Sequence, residues 1–412
     1  MASDVRMLGE ISELWKIEAF RRLLTARVIS NLGNGITPIA LAFGVLSLPG
    51  SSASSLSYVT TAQMIPLVLF MLIGGVAADR FGRSQLVGIT DIIGSVFVSV
   101  SAIAFISGHA SIPLLCFNGF VFGLLNALWY PAFSGIMPLI VPTHLLQAGN
   151  SALGVGANLG FTLGASIAGV LVSSSGSGWA LLVDAATFLV AGILVLRMRL
   201  PKNIVAEGKS PSVIAQLREG WVEFSSRRWL VVIVSSFAFY HLAFEGFLGV
   251  LAPVQTKEAL RGAKDMGYMM FAFGVGAVGG TVLALRLRPR RPLLLAVGVT
   301  PIAALWMFAL AVPMPLYVLC ATACATGVAI DLMYANWMTT IQTHVPQEAL
   351  SRVGSYDAFG SLAFAPVGLF LAGPFTHLVG APTALVVAGT IVVIASTVPL
   401  LVKDVRHLER IG

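Results

Sequence analysis

The sequence predicts an all-α membrane protein with twelve transmembrane helices in two pseudo-symmetric six-helix bundles. Composition is the first observation behind this prediction: 57% of the 412 residues are hydrophobic, 10% are charged, and the mean hydropathy is +0.89. Soluble globular chains are far more polar. The second observation is that the apolar residues form repeated stretches of about 20 residues, enough for a helix to cross a hydrocarbon core of about 30 Å. The third is an internal repeat of about half the chain length.

A polar leader precedes the first apolar stretch, which starts near Val28 and is longer than the core of a signal peptide. We therefore expect that this stretch is kept as the first helix. Within the leader, residues 10–24 carry apolar side chains near helical spacing, which predicts a short amphipathic helix on the membrane surface; a partly disordered tail is the alternative. These apolar residues are Leu14, Ile17, Phe20, Leu23 and Leu24.

The other helices follow in order from apolar stretches that end at glycine, proline, serine or charged residues. These stretches stay apolar on both faces, which excludes the alternating pattern of a β-barrel. The predicted spans of the first half are 28–48, 57–78, 85–107, 112–137, 147–173 and 179–199. Those of the second half are 229–255, 266–286, 292–312, 315–341, 349–376 and 380–402. The sequence thus predicts a first bundle over 1–200, a linker over 201–228 and a second bundle over 229–412.

The distribution of positive charge predicts the orientation. With both termini in the cytoplasm, 22 of the 25 basic residues lie on the cytoplasmic side, and only Lys257, Arg261 and Lys264 lie outside. Lysine and arginine concentrate on the cytoplasmic side of membrane proteins. We therefore expect a multi-pass protein of a bacterial cytoplasmic membrane with both termini inside. The linker is then cytoplasmic, and its helical spacing of apolar residues around Trp221 predicts an interfacial helix.

An internal repeat supports the division into two halves. The segment from Tyr130 aligns with the segment from Tyr334 at an offset of 204 residues. The same offset pairs Val141-Pro142 with Val345-Pro346, Gly164 with Gly368 and Gly169 with Gly373, and an offset of 205 pairs Gly74-Gly75 with Gly279-Gly280. Parallel repeats of this kind are typical of transporters whose substrate site lies between the halves near the bilayer midplane.

The strongest local motif is GGVAADRFGR, which runs from Gly74 to Arg83 between the second and third predicted helices. A glycine allows close helix contact or a tight turn, and a carboxylate can hold a helix N-terminus or an arginine. The segment resembles the loop signature of the major facilitator superfamily. The resemblance implies a gating role for this loop, carried by Gly75, Asp79, Arg80, Gly82 and Arg83.

Four further stretches extend the resemblance over nearly the whole chain: FRRLLTARVISNLGNG from Phe20, VPTHLLQAGNS from Val141, LREGWVEF from Leu217 and VPQEALSRVGS from Val345. Together with Asp91 in the third helix, they are similar to drug and siderophore exporters of the macrolide-efflux and enterobactin-export type. This similarity implies multidrug or siderophore efflux by proton antiport. Two departures weaken the antiport expectation, because the fourth helix has no arginine and the fifth has no Gly-Pro pair.

Acidic residues inside predicted spans are the leading candidates for function, because a charge in the membrane is costly. Glu245 and Asp331 lie deepest in their spans and have no basic residue in the same span, so we expect them to serve in ion coupling or substrate binding. His241 precedes Glu245 by one helical turn and could share a proton with it, although a lone histidine inside a membrane is often only hydrogen-bonded. Asp184, near the start of the sixth helix, is expected to be structural.

Asp91 is included with the gating residues. It lies one to two turns from the predicted cytoplasmic end of the third helix, where pairing with Arg80 or Arg83 is the simplest expectation.

Aromatic and amide residues suggest the lining of a substrate cavity, since they offer stacking area and a few polar anchors to an amphipathic molecule. Packing within the protein explains any one of them equally well. The set comprises Asn126, Trp129, Tyr130, Tyr240, Asn336 and Trp337.

Motifs for other functions are missing from the sequence. It contains no phosphate-binding GxxxxGK[ST] loop, no HExxH metal site and no GxSxG nucleophile elbow, which argues against an ATPase or an intramembrane enzyme. We expect no catalytic residues, no cofactor and no metal.

The expected partners are a small-molecule substrate, protons or another coupling ion, and membrane lipids. Nucleic acid is not expected, because the net charge of +7 comes from basic residues at the ends of apolar stretches. We expect a monomer.

The sequence therefore favours a secondary transporter that exports a hydrophobic or amphipathic molecule by alternating access. An importer of a small organic solute remains open, because the direction of transport depends on coupling. A membrane sensor or assembly protein on the same scaffold is the alternative from another class.

Overall fold

The computed structural model describes residues 10–198, 213–287 and 289–410, without the side chains of 72–81, 213–217, 348 and 351. Within these residues it contains twelve helices that are long and apolar enough to cross a membrane. We number them α1 to α12 in chain order. Every predicted span overlaps one of them, so the predicted twelve-helix fold is confirmed.

By their contacts the helices form two compact units, the first comprising Met1–Pro49 and Ala62–Ala206 and the second Gly50–Thr61 and Glu207–Gly412. The helices α1 to α6 are Glu18–Ser47, Ala53–Phe81, Arg83–Ile106, Ile112–Ser134, Leu146–Ser175 and Ser177–Leu196. In the first unit α1 packs along α5 and α6, while α3 packs along α4 and α6. The second unit contains the first turns of α2, where the Ser57 hydroxyl accepts a hydrogen bond of 2.7 Å from the Gly373 amide.

The remaining helices belong to the second unit. Helix α8 is Ala263–Arg286, α10 is Leu316–His344 and α12 is Ala381–Thr397. The other three are interrupted: α7 is Arg228–Gly246, Phe247–Leu251 and Ala252–Ala259; α9 is Pro292–Val299, Thr300–Ile302 and Ala303–Ala311; α11 is Gln347–Leu362 and Ala365–Val379. In this unit α8 packs on α10, and α7 packs on α11 and α12.

Prolines explain the three interruptions. Pro253 follows a π-helical turn in α7, Pro301 lies in a 3₁₀ turn of α9, and Pro366 follows a two-residue break in α11. A proline has no amide hydrogen and its ring clashes with the carbonyl four residues earlier, so the preceding turn must widen, tighten or open. Each membrane-spanning helix continues beyond the interruption because the apolar sequence continues.

Glycines allow the closest helix contacts, and these contacts define the internal repeat. A Cβ built on Gly164 of α5 would lie 1.9 Å from the carbonyl oxygen of Leu32, and one on Gly368 of α11 would lie 1.8 Å from that of Leu242. Gly164 thus corresponds to Gly368, as the sequence predicts. By the same contacts, Leu32 of α1 corresponds to Leu242 of α7. These two leucines are further apart in the sequence than the predicted offset of 204 residues.

The contacts of α4 and α10 show the same shift. A Cβ on Gly123 would lie 2.0 Å from the Gln63 carbonyl oxygen, and one on Gly327 would lie 2.1 Å from that of Phe273. The two glycines are related by the predicted offset, whereas Gln63 of α2 and Phe273 of α8 are further apart than that offset. The predicted pairing of Gly74-Gly75 with Gly279-Gly280 is therefore wrong. The pairing fails because the chain between the second and fourth helices is shorter in the second half than in the first.

The start of the chain differs from the expected surface helix or disordered tail. Residues 10–16 are helical and α1 begins at Glu18, well before the predicted span. Leu14, Phe20 and Leu23 are buried in the core of the first unit. This side of the leader therefore packs against protein instead of lipid, because the ends of α4 and α5 present apolar side chains to it.

A helix from Val213 to Ser225, here called the linker helix, packs against the first part of α11. The rings of Trp221 and Phe224 lie 5.6 and 5.9 Å from that of Tyr356. Glu219 forms a 3.2 Å ion pair with Arg352. Trp221 is nevertheless half exposed, which leaves an apolar surface on the outer side of this helix.

Candidate functional site

The first unit contains a buried charged cluster between α1, α3 and α4. The guanidinium of Arg27 lies 5.0 Å from the centre of the Trp129 ring and 4.8 Å from that of Phe133. Arg27 and the Trp129 side chain are also the polar neighbours of the Asp91 carboxylate, which is 5% exposed. The two rings stack on each other, and a cation beside this aromatic pair and a carboxylate is doubly stabilised. The charge of Asp91 is thus compensated within the unit.

This cluster differs from the expected pairing of Asp91 with Arg83, while the alternative partner, Arg80, has a side chain outside the described residues. The Arg83 guanidinium instead donates a 2.8 Å hydrogen bond to the carbonyl oxygen of Gly135, just after α4 ends. A cation is favoured there because the last carbonyls of a helix carry partial negative charge. The sequence could not show this geometry, because Arg27 and Asp91 lie far apart in the chain, on the first and third helices.

The remaining loop residues are only partly described. Gly82 has a φ of 84° and precedes the first turn of α3, a conformation that glycine adopts without strain, as the motif predicts. Gly75, Asp79 and Arg80 lie on the last turns of α2, and their contacts fall outside the described side chains.

Asp184 is fully buried between α1 and α6. Its carboxylate accepts hydrogen bonds from the hydroxyls of Thr37 and Thr187. A Cβ on Gly33 would overlap this carboxylate, so the glycine makes room for it. Two hydroxyl donors within one small space are consistent with the structural role expected for Asp184.

Glu245 lies in α7, just before the π-helical turn, and is half-buried. Among the described residues no side chain forms a hydrogen bond or ion pair with it. The Nδ1 of His241 lies 2.9 Å from the Phe237 carbonyl oxygen, a hydrogen bond within the same helix. The Tyr240 hydroxyl is buried without a hydrogen-bond partner in the described part of the chain, and it lies within electrostatic reach of Glu245.

Asp331 is half-buried on α10 and accepts a 3.2 Å hydrogen bond from the Thr281 hydroxyl of α8. The described residues offer it no basic partner. Asp265 is a contrast within the same unit, since Arg261 lies 2.8 Å from its carboxylate. That carboxylate raises the pKa of the Arg261 guanidinium above its ordinary value.

The structure adds one acid that sequence reasoning missed. Asp357 lies in α11, where the Trp337 indole nitrogen donates a 3.1 Å hydrogen bond to one carboxylate oxygen and the Ser361 hydroxyl lies 3.4 Å from the other. Nowhere in the described ranges does a basic side chain pair with it. Its position inside the predicted span 349–376 was the available signal, but nearby polar residues made this part of the span resemble a loop.

The predicted cavity set separates into buried and accessible residues. The buried ones are Trp129, Tyr240, Asn336 and Trp337, each with at most 8% exposure. The amides of Asn126 and Asn336 donate to carbonyl oxygens of their own helices. Tyr130 and its repeat partner Tyr334 are exposed, at 56% and 57%. Most of the predicted set is therefore buried in this structure, and Tyr130 is its most exposed member.

Comparisons with known proteins agree with this architecture. Residues 23–366 match the family model described as Major Facilitator Superfamily. The chain is 27% identical over 378 residues to the multidrug efflux pump Tap of Mycolicibacterium fortuitum, covering 87% of this chain and 89% of the pump. It is 26% identical over 372 residues to the uncharacterized MFS-type transporter YkuC of Bacillus subtilis strain 168, covering 84% and 83%.

Solved structures show the same fold at low identity. The nucleoside transporter NupG matches with a TM-score of 0.71 at 12% identity, over 93% of this chain and 98% of that one. A bacterial homologue of the human lysosomal transporter Spinster matches with a TM-score of 0.68 at 16% identity, over 93% and 95%. Since the family consists of transporters, the prediction that the chain is not an enzyme is confirmed. It is a multi-pass membrane protein and belongs to the major facilitator superfamily.

Proposed function

We propose that this transporter exports hydrophobic or amphipathic small molecules, drug-like or siderophore-like, and that protons drive the export. The observation that carries the proposal is the half-buried carboxylate of Glu245 in a spanning helix, to which the described residues supply no cation and no hydrogen bond. A charged carboxylate in the membrane costs several kcal/mol unless it is hydrated, paired or protonated. A change in hydration during the transport cycle then changes its affinity for a proton.

Asp331 is the second proposed coupling group. A single hydroxyl from Thr281 holds its orientation without neutralising its charge. The multidrug efflux pump among its relatives supports export of drug-like molecules. The positive-inside distribution supports cytoplasmic termini, so that export moves the substrate away from the side of the linker.

Transport in everted membrane vesicles tests the proposal. Ethidium, a macrolide and a catechol siderophore serve as probes, and accumulation is measured with and without an imposed pH gradient. The wild-type protein should accumulate at least one probe in a gradient-dependent manner. Glu245→Gln should be expressed and bind the probe but lose the gradient dependence, and Asp331→Asn should be expressed and lose the gradient dependence. Asp265→Asn is the matched control, because Arg261 already compensates this acid.

Two results would contradict parts of the proposal. Gradient-dependent accumulation that survives in both Glu245→Gln and Asp331→Asn would show that neither acid carries the proton. Accumulation in right-side-out vesicles instead of everted ones would make the protein an importer. No flux of any probe by well-folded protein would favour the sensor or assembly role.

The loop motif is proposed to gate the transport cycle, through Asp79 in particular. A carboxylate near a helix N-terminus or an arginine contributes a few tenths to about 2 kcal/mol, which shifts a two-state equilibrium severalfold. Asp79→Asn should therefore slow transport while the amount of folded protein stays the same. Wild-type rates in this variant would limit Asp79 to a role in topology.

The orientation is tested by labelling with a membrane-impermeant thiol reagent in intact cells. Ser54→Cys should react from outside and Ser210→Cys should not, in a background without the native cysteines. The reverse pattern would place both termini outside the cytoplasm.

A further inference from the structure

Asp357 presents a negative charge that the protein holds in place but does not compensate. The Trp337 N–H donates to one carboxylate oxygen at 3.1 Å, and the Ser361 hydroxyl lies 3.4 Å from the other. Both groups donate to a carboxylate without adding positive charge. Such hydrogen bonds orient the anion and favour its charged form.

The elements around Asp357 supply no counter-charge to it. Helix α7 brings His241, whose Nδ1 is engaged by the Phe237 carbonyl oxygen. The linker helix brings Glu219, which holds Arg352 of α11 at 3.2 Å. Helix α10 brings the Tyr334 hydroxyl, which lies within electrostatic reach of both Asp357 and Asp331. Across the described residues, no basic side chain forms an ion pair with Asp357.

Tyr334 lies within electrostatic reach of the carboxylates of Asp331 and Asp357 and connects them into one surface. Asp331 and Tyr334 are three residues apart on α10 and share a helix face, and Trp337 continues that face toward Asp357. The Tyr334 ring is 57% exposed, while both acids are half-buried. An accessible aromatic face beside two fixed carboxylates is the combination that attracts an organic cation.

We propose that Asp357, Tyr334 and Asp331 form a recognition site for the positively charged group of an organic cation. The cation supplies the positive counter-charge that Asp357 and Asp331 lack among the described residues. The tyrosine ring contacts the apolar substituents of the cation. The proposal names a substrate class for the transport function and rests on it. Asp357 acts by binding the cation, and the Trp337 indole acts by positioning Asp357.

Equilibrium binding to the purified full-length protein in nanodiscs tests this site without any gradient. The probes are tetraphenylphosphonium and its uncharged relative triphenylphosphine oxide, at one fixed pH. The wild-type protein should prefer the cation. Asp357→Asn should weaken cation binding by about tenfold, the size expected for one desolvated charge contact, and leave the neutral probe little changed. Asp357→Glu should retain most of the preference, and Asp265→Asn should bind both probes as the wild type does.

The outcomes separate this site from the proposed coupling. If Asp357→Asn does not fold, Asp331→Asn and Tyr334→Leu decide, and each should weaken cation binding selectively. The proposal is overturned if the wild-type protein shows no preference for the cation, or if the folded acid variants keep it. A failure of proton coupling would appear in the transport assay alone, because this binding assay uses no gradient.

Discussion

The two units carry different charges around an aromatic residue at a position related by the internal repeat. In the alignment that the glycine contacts define, Arg27 corresponds to Phe237, Phe133 to Trp337, and Leu153 to Asp357. In the first unit the arginine lies over the aromatic ring and the fifth helix contributes a leucine. In the second unit Trp337 donates to Asp357, and α7, the first helix of that unit, contributes Phe237.

The difference lies in whether each unit supplies a counter-charge to its own buried charged residue. Arg27 is compensated by Asp91 from α3, which makes the first cluster a closed arrangement. Asp357 has hydrogen-bond donors but no ion-pair partner among the described residues. The proposed cation site therefore uses an arrangement that the first unit does not have.

Removal of the Arg27 cation should have the largest effect on stability. Arg27→Leu leaves the buried Asp91 carboxylate without its counter-charge, and we expect a loss of about 3 kcal/mol in the free energy of unfolding. Thermal unfolding in detergent measures it. The double variant with Asp91→Asn should recover part of the loss, because it removes the stranded charge. Equal stability of the single and double variants would show that Arg27 contributes through its aromatic contacts alone.

Substitution of the repeat-related glycines tests whether the two scaffolds are equivalent apart from charge. Gly123→Ala and Gly327→Ala each bring a Cβ within about 2 Å of a neighbouring carbonyl oxygen. Both should lower the free energy of unfolding by a similar amount, about 2 kcal/mol, since the helices must separate to admit the methyl group. Gly298→Ala, where nothing lies within 4 Å, is the control. A large difference between the two variants would contradict the equivalence.

Neutralising the two acids should shift stability in opposite directions. Asp91→Asn should lower the free energy of unfolding by about 1 kcal/mol, because Arg27 loses its counter-charge but keeps its two aromatic contacts. Asp357→Asn should raise it by a similar amount, because the amide still accepts from Trp337 and an uncompensated charge disappears. Unfolding midpoints of the two variants measured side by side decide this. Destabilisation by Asp357→Asn would indicate a cation near it.

The sequence predicted the helices well because each one depends on a long apolar stretch and on local helix breakers. It nominated Glu245 and Asp331 by the same logic, since an ionisable residue within such a stretch is conspicuous, whereas Tyr334 entered only as part of the repeat. It could not pair Arg27 with Asp91, because that contact depends on how three helices pack. Asp357 was missed because its half of α11, before the break at Pro366, is polar enough to read as a loop.

The smallest expected effect concerns two helices outside the spans, residues 10–16 in the first unit and the linker helix in the second. An exposed ion pair attaches each of them to its unit. Glu13 lies 3.5 Å from His144 in the first unit, and Glu219 lies 3.2 Å from Arg352 in the second. Such pairs contribute about 0.2–1 kcal/mol, so neither Glu13→Gln nor Glu219→Gln should change the global unfolding midpoint measurably. Hydrogen exchange of the two helices should still detect a local change, because it reports opening of each segment separately.

Their pH dependence should differ, because a histidine is charged only when protonated whereas an arginine is always charged. The Glu13 pair is therefore an ion pair only while the imidazole of His144 is protonated and the glutamate is ionised. Glu13→Gln should speed exchange of residues 10–16 only under conditions that meet both requirements. Glu219→Gln should speed exchange of the linker helix wherever a glutamate is ionised, because Arg352 keeps its charge. Equal pH dependence of both variants would show that the buried apolar residues, Leu14 and Phe224, hold the two helices without help from the charges.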